Sequence, residues 1–390
     1  MAKATPAVLV WARETAGLSL EQAARGLGLG SQRTPADEQL AAFESGERAP
    51  SLPQIKKMAQ LYRRPFVAFF LSKPPKNAEM GEDFRRLPGE EGSNEGDVRA
   101  LIRDIYIRQT LVKETLVDSE EDQDIDFIGK GDFEEDIDDA AEHIKNALEI
   151  DTDSYRRERD AHHAFGYLRD KAEASGIYVL LIGDLGSHHS TISVKEFRGF
   201  ALADKVAPFI VINQNDAKPA WSFTLLHEAV HLWVGKSGIS AQTNTHKVEQ
   251  FCNDVASRIL LSDDETDALY ERASKSEETY FNFLKSEARS LNLSTSLIAY
   301  RFFRKNFISK EEWENVNIQL REQWLAAKQE NKKKQKQSSG GDFYNTKKHR
   351  AGNALVNLVS KGIHEGILTE TRAGRILGVN PGNVAKMVGL

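Results

Sequence analysis

Two histidines and a glutamate stand inside a strongly apolar segment, and this placement limits what the segment can become. The segment, residues 221–233, reads Trp-Ser-Phe-Thr-Leu-Leu-His-Glu-Ala-Val-His-Leu-Trp. Its composition favours a buried helix, on which His227 and His231 lie one turn apart on the same face. Burying them together with Glu228 among these side chains would cost several kcal/mol unless the polar groups had partners.

A metal ion is the partner that this spacing favours, because two imidazoles one turn apart can converge on one Zn²⁺ at about 2.0–2.1 Å. Zinc acidifies a bound water, and Glu228 would act as general base, taking its proton as it attacks a peptide carbonyl. The HExxH pattern also arises by chance, so a core helix with two satisfied histidines is the alternative. His188 and His189, in a predicted loop, are candidates for further catalytic groups.

A catalytic zinc needs a third protein ligand, and three downstream residues are candidates. The extended pattern with a glycine and a third histidine shortly after the second is absent. Glu249 is favoured, since it lies in a predicted helix and its spacing to the polar Asn253 suits a gluzincin-like site. Asn253 follows one turn later and could orient a ligand histidine. His246 and Asp254 are the rival ligands.

Three short runs rich in Val, Ile and Phe precede the histidine segment and predict strands. They are residues 177–182, 197–203 and 208–213, and a helix is predicted before them at residues 157–174. This order predicts a helix on a small sheet, followed by the helices that carry the metal ligands. The fold class is therefore predicted to be α+β and mostly helical.

The first 75 residues predict a small helical bundle. They hold ten Lys/Arg and six Asp/Glu, a net charge of +4. Ser19 and Gln22 form a predicted capping box for a helix that ends near Gly28, and Thr34-Pro35 predicts the start of the next helix. Residues 17–28 and 43–50, followed by the run 61–70, resemble the Xre-type helix-turn-helix domain.

That resemblance implies DNA binding, but the segment carries both acidic and basic side chains, and only the basic ones would favour contact with phosphate. The second helix of the motif begins Pro-Ala-Asp-Glu-Gln, and acids that face phosphate weaken binding. Four cations could touch phosphate: Arg33, Arg48, Lys56 and Lys57. The alternative is that this helical domain binds a protein.

Residues 118–142 carry thirteen acids against one lysine, a net charge of -12. This composition predicts a solvated, partly disordered linker between helices predicted at 99–116 and 138–150. After a basic connector, residues 351–367 and 369–377 predict helices, and Asn380-Pro381 predicts another. This end of the chain is a second helix-turn-helix-like piece, a docking domain or a helical cap on the peptidase, and no internal repeat is evident.

The central region resembles the ImmA/IrrE family of metallopeptidases. The segments that carry the resemblance are residues 198–201, 209–213, 223–231, 249–261 and 296–302. The resemblance implies a small gluzincin fold with zinc on His227, His231 and Glu249. It also implies a protein substrate of the helix-turn-helix repressor class, while other relatives look like regulators encoded beside a toxin, which would be a partner.

The chain of 390 residues is long enough for several domains. The predicted organisation is an Xre-like domain at 5–72, a helical and acidic connector at 73–150, a zinc peptidase domain at 151–305, a helical and basic connector at 306–350 and a helical segment at 351–390. Cys252 is the single cysteine, which suits a reducing cytoplasm. No apolar run reaches the roughly 18 residues that span a bilayer, and no secretory signal or membrane partner is expected.

The sequence therefore predicts a cytoplasmic zinc endopeptidase that hydrolyses peptide bonds in a regulatory protein. The alternative is a DNA-binding regulator or antitoxin whose peptidase domain acts as a sensor or scaffold. Glu228 distinguishes the two hypotheses, because a scaffold has no need of a general base.

Overall fold

The computed structural model describes residues 4–30, 35–75, 95–186, 190–235, 245–335 and 343–389. These residues are mostly helical and contain one three-stranded sheet, which confirms the α+β prediction. The chain divides into two compact units, Met1–Asp104 with Ser187–Ile192 and Ile105–Gly186 with Ser193–Leu390. The five segments predicted from the sequence are a finer division and stay predictions. Among the residues that the structure describes, no helix is long and apolar enough to cross a membrane.

The first unit contains four helices and a short 3₁₀ helix around one apolar core. They are α1 Pro6–Thr15, α2 Leu20–Leu27, α3 Ala36–Glu44, α4 Leu52–Leu61 and the 3₁₀ helix Phe66–Phe70. The capping box predicted for α2 is confirmed, with Ser19 accepting from the backbone N–H of Gln22 at 3.1 Å. Leu40 and Phe43 of α3 are buried. Residues 31–34, with the predicted cap Thr34 and the cation Arg33, lie outside the described residues, so the helix-turn-helix assignment stays a prediction.

The acidic stretch agrees only in part with the prediction of a solvated, partly disordered linker: most of its carboxylates are exposed, but two apolar residues within it are buried. Helix α5, Glu95–Asp118, leads into it, and α6, Ile137–Ala147, grows out of it with Asp136 as its cap. Between these helices Phe127 and Ile128 are buried in the core of the second unit. Because carboxylates dominate the composition of the stretch, the sequence did not reveal these two buried apolar residues. Their burial anchors the stretch in the fold.

The three predicted strands are confirmed and are slightly shorter than predicted. They are β1 Tyr178–Leu181, β2 Gly199–Leu202 and β3 Phe209–Ile212, in the order β1-β3-β2. β1 runs parallel to β3 with Tyr178 opposite Phe209, and β2 runs antiparallel to β3 with Gly199 opposite Ile212. Their side chains are buried at nearly every position, because helices cover the sheet.

The remaining helices of the second unit surround this sheet. They are α7 Thr152–Arg157, α8 Ala161–Ala174, α9 Lys218–Trp233, α10 Thr245–Leu260, α11 Asp263–Lys275, α12 Tyr280–Ser290, α13 Thr295–Arg304 and α14 Lys310–Gln335. The helix predicted at 157–174 is α8, which begins four residues later than predicted because Asp160 caps it; Arg157 belongs to the preceding helix α7. Helix α9 packs on α8, β2, β3 and α10, so it lies at the centre of the unit.

The C-terminal segment is helical and belongs to the second unit. It consists of α15 Phe343–Ala351, α16 Asn353–His364, α17 Glu370–Leu377, a 3₁₀ turn Pro381–Asn383 and α18 Val384–Val388. Arg169 of α8 is buried, pairs with Glu173 at 3.0 Å and donates to the backbone oxygen of His349 at 2.5 Å. Glu173 accepts from the backbone N–H of Ala354 at 2.9 Å. This buried ion pair therefore holds the junction of α15 and α16 against α8.

Replacing Arg169 by Ala should destabilise the second unit by about 3 kcal/mol, because Glu173 would be left as an unpaired buried charge. Urea unfolding of the full chain, followed by circular dichroism, measures the change. Lys310→Ala is the matched control, since it breaks an exposed pair with Glu314 and should shift stability by less than about 0.5 kcal/mol. Equal effects of the two variants would contradict a stabilising role for the buried pair.

Candidate metal centre

Helix α9 positions the two histidines. Pro219 lies in its first turn, where the missing N–H costs nothing, and apolar residues cover it on all sides. At its other end the backbone N–H groups of Gly129 and Gly131 donate to the oxygens of Leu232 and Trp233, at 3.0 and 2.9 Å. These two bonds satisfy carbonyls that a helix C-terminus leaves without partners. The helix is thus fixed at the turn that follows His231.

Three side chains from α9 and α10 meet at one point. The Nε2 atoms of His227 and His231 are 3.2 Å apart, and each lies 3.3 Å from one carboxylate oxygen of Glu249. Among the described residues, these three form the one group of His, Cys, Asp and Glu whose ligand atoms lie close enough to hold a metal ion. The structure thus brings together the ligand set favoured from the sequence.

The separations in this triangle fit a tetrahedral ion. Two ligands about 2.0–2.1 Å from zinc at a tetrahedral angle lie about 3.3 Å from each other, which matches all three measured distances. Two imidazole nitrogens and a carboxylate are also a donor set that catalytic zinc uses, with a fourth position left for water or substrate. The residues present therefore fit Zn²⁺.

The ionisable groups of the cluster shift one another's pKa values. Burial alone would lower the pKa of His227, but its hydrogen bond to Glu249 and the charge of Glu228 raise it. Burial alone would raise the pKa of Glu249, but hydrogen bonds with His227 and His231 lower it. Because Glu249 stays ionised, it is ready to balance part of the charge of a cation.

Glu228 lies beside the triangle and points away from water. Its side chain is 5% exposed, and its Oε2 atom has no hydrogen-bond partner in the part of the chain that the structure describes. Burial raises the pKa of this carboxyl group. A raised pKa moves a carboxylate towards the neutral range, where a general base can both take and return a proton.

Gly199 of β2 lies against Glu228, and no sequence motif gave it a role. A Cβ atom at this glycine would be 3.0 Å from Oε1 of Glu228 and 2.6 Å from Cγ2 of Thr224. The absence of a side chain therefore allows β2 and α9 to approach each other at the candidate base. A glycine that opens a strongly apolar strand was the available sign of such a close approach.

The other candidates from the sequence lie elsewhere. His246 is exposed and outside the metal-binding group. Asp254 is buried but accepts from Tyr300 and Arg304, both at 2.6 Å, so its carboxylate links α10 to α13. The Asn253 side chain makes a smaller contribution to the raised pKa of His227, but Nδ1 of His227 has no hydrogen-bond partner among the described residues, so the role of Asn253 in orienting this ligand stays a prediction. His188 and His189 lie outside the described residues.

Comparison with known families finds one peptidase-family model that covers this centre. Residues 172–303 match the model of peptidase family M78. The match starts within α8 and ends within α13, so it includes the sheet and both helices of the metal centre. This family model describes the IrrE N-terminal-like domain, which supports the resemblance to the ImmA/IrrE family of metallopeptidases. Searches among curated proteins and among solved structures gave no match.

The purified protein should bind one Zn²⁺ per chain, measured by mass spectrometry of the metal after dialysis. His227→Ala, His231→Ala and Glu249→Ala should each lose it, because two protein ligands hold zinc far more weakly than three. His246→Ala is the control from the same helix as Glu249 and should keep full occupancy. Zinc retained by Glu249→Ala and lost by His246→Ala would show that the third ligand has been misassigned.

Proposed function

We propose that this chain is a zinc-dependent endopeptidase that hydrolyses peptide bonds in a regulatory protein, acting in the cytoplasm. The observation that carries the proposal is the triangle of His227, His231 and Glu249 with the buried carboxyl group of Glu228 beside it. The peptidase-family match over the same residues supports it independently.

The residues divide into those that hold the metal and one that moves a proton. When bound, Zn²⁺ would supply Lewis acidity, which lowers the pKa of water and polarises a carbonyl group. Glu228 accepts the proton that water loses as its oxygen attacks the carbonyl carbon of the scissile bond. The same carboxyl group then gives that proton to the leaving nitrogen as the C–N bond breaks. Asn253 orients His227 from α10.

The substrate class is proposed from the resemblance. Characterised relatives cut helix-turn-helix repressors, so a repressor encoded near this protein is the first substrate to test. A toxin-like partner and DNA contacts through the first unit are alternatives that the resemblance also raises. Exposed Asp37 and Glu38 near the start of α3 weigh against DNA contacts there, because they would repel phosphate.

Glu228→Gln should keep one Zn²⁺ and lose cleavage by about 10²–10⁴-fold, because the amide binds no proton at neutral pH. Cleavage is measured by labelling the new protein N-termini that form in host extract treated with wild-type or variant protein, which also reveals the substrate. Glu271→Gln is the matched control, since Glu271 is exposed and pairs with Lys275 on α11. Identical new termini from wild type and Glu228→Gln would reject the proposed enzyme.

Gly199→Ala should also keep zinc while lowering cleavage about tenfold or more, because the added methyl group displaces Glu228, and small misplacements of catalytic groups are costly. Gly166→Ala in α8 is the control, since a Cβ there meets no atom within 4 Å. Rates are compared on a substrate found by N-terminal labelling. Full activity of Gly199→Ala would show that the approach of β2 to Glu228 has no part in positioning the base.

A further inference from the structure

The C-terminal segment repeats the turn of the N-terminal unit, although no internal repeat is evident at the level of the whole sequence. Residues 19–29 read SLEQAARGLGL, and residues 369–379 read TETRAGRILGV. The two segments share the positions of a hydroxyl residue, Ala, Arg, Leu and Gly. They lie 350 positions apart in the chain and match over a short length, so the surrounding sequence conceals the repeat.

The backbone of the two segments is alike in detail. In each, the hydroxyl residue caps the helix by accepting from the N–H three residues later, at 3.1 Å for Ser19 and 3.3 Å for Thr369. Each helix ends in a left-handed glycine, with φ 62° and ψ 38° at Gly28 and φ 67° and ψ 37° at Gly378.

The hydrogen bonds that close the two turns also correspond. The N–H of Leu29 donates to Ala24 at 3.1 Å, and the N–H of Val379 donates to Gly374 at 2.9 Å. Gly28 and Gly378 donate to the arginine three residues before each of them, at 3.1 and 3.3 Å. One chain thus uses the same capped helix and glycine turn twice, and the second copy follows the peptidase domain.

The second copy has the tighter connection. Three residues, 378–380, separate α17 from the 3₁₀ turn, whereas the eight residues 28–35 separate α2 from α3. A helix-turn-helix joins its helices by three or four residues, often including glycine, so the C-terminal copy has the standard length. A Cβ at Gly374 would lie 2.8 Å from the backbone oxygen of Val379, so this glycine allows the close crossing.

The helix after the turn has one buried and one exposed side. Val384 and Met387 are buried in the core that α16, α17 and α18 share. Asn380, Gly382 and Lys386 are exposed. Helix α15 supports this helix from behind, with Tyr344 donating to Asn383 at 3.2 Å and its ring 5.7 Å from the Lys386 ammonium. The exposed side is therefore held in place while remaining accessible.

The C-terminal segment has a charge opposite to that of the rest of the chain. Residues 343–389 contain seven Lys/Arg and two Asp/Glu, a net charge of +5. The whole chain has a net charge of -6, so all other residues together carry -11. No acid follows Glu370 in the sequence, whereas α3 of the first unit exposes Asp37 and Glu38 near its start. Three of the seven cations, Arg350, Lys361 and Arg372, pair with Asp184, Glu121 and Glu114 outside the segment, so the charge available to a polyanion is smaller than the net value. Lys386, exposed on the helix after the turn, is the cation placed to meet one.

We infer that the C-terminal helices form a DNA-binding helix-turn-helix, with the 3₁₀ turn Pro381–Asn383 and the short helix α18 that continues it to Val388 entering the major groove of duplex DNA. Lys386 contacts phosphate, and the amide of the exposed Asn380 faces the base edges, where amide side chains read adenine. This binding is independent of the metal centre, because none of these residues belongs to it. The chain would then carry a peptidase to DNA through its C-terminal end.

The test measures binding of the full-length protein to a fluorescent random-sequence duplex of about 25 base pairs, by anisotropy at about 50 to 200 mM salt. Wild type should bind with an affinity that falls steeply as salt rises. Lys386→Glu should weaken binding about tenfold at the lowest salt and reduce the slope of log affinity against log salt by about one. Asn380→Asp should weaken it about threefold, because the added carboxylate would repel phosphate, and should leave the fold intact, since the Asn380 side chain makes no capping hydrogen bond.

Two control variants show which part of the chain binds and whether the metal centre takes part. Lys57→Glu makes the same charge reversal on exposed α4 of the first unit and should leave binding unchanged. Glu228→Gln should bind DNA like wild type, so failure of the peptidase proposal leaves this result intact. No binding by wild type would overturn the inference, as would preference for single strands. It would also fail if Lys57→Glu weakened binding while Lys386→Glu, folded by circular dichroism, did not.

Discussion

The approach of three ionisable side chains between α9 and α10 is the constraint around which the second unit is arranged. Two imidazole nitrogens 3.2 Å apart repel each other unless a proton or a cation lies between them. The site is therefore held by packing, since α9 contacts α8, the strands β2 and β3, and α10. Glu249 offsets the charge that the histidines concentrate, so metal affinity and helix packing depend on the same contact.

Local patterns were sufficient for most of this site. The spacing of His227 and His231, the three apolar strands and the helix carrying Glu249 all follow from periodicities of two or 3.6 residues. The choice of Glu249 over His246 depended on how α10 turns towards α9, which a single sequence does not fix. The role of Gly199 was not predicted for a related reason. What matters at this position is the missing Cβ atom, which leaves room for Glu228, a residue far away in the sequence.

The average composition of a segment was a poor guide to its structure where a few residues determine how the segment packs. The acidic stretch has a net charge typical of a disordered linker, yet Phe127 and Ile128 anchor it in the core. At the other end of the chain, a short capped turn recurs among unrelated residues, and the match is clear only when backbone angles at Gly28 and Gly378 are compared. The buried Arg169 shows why this last segment belongs with the peptidase: an α8 side chain binds its backbone directly.

The cap at the end of α9 limits which substitutions the acidic stretch can accept. Gly129 and Gly131 hold the metal helix through backbone N–H groups, so these bonds do not depend on the acidic side chains around them. A Cβ at Gly131 would collide with the Trp233 ring at 2.3 Å, whereas the neighbouring carboxylates of Asp132 and Glu134 are exposed. The physical constraint on this stretch therefore falls on Gly131 and on the two N–H groups, and not on the charges around them. A proline at position 129 or 131 would lack the N–H and leave a carbonyl at the end of α9 without this partner.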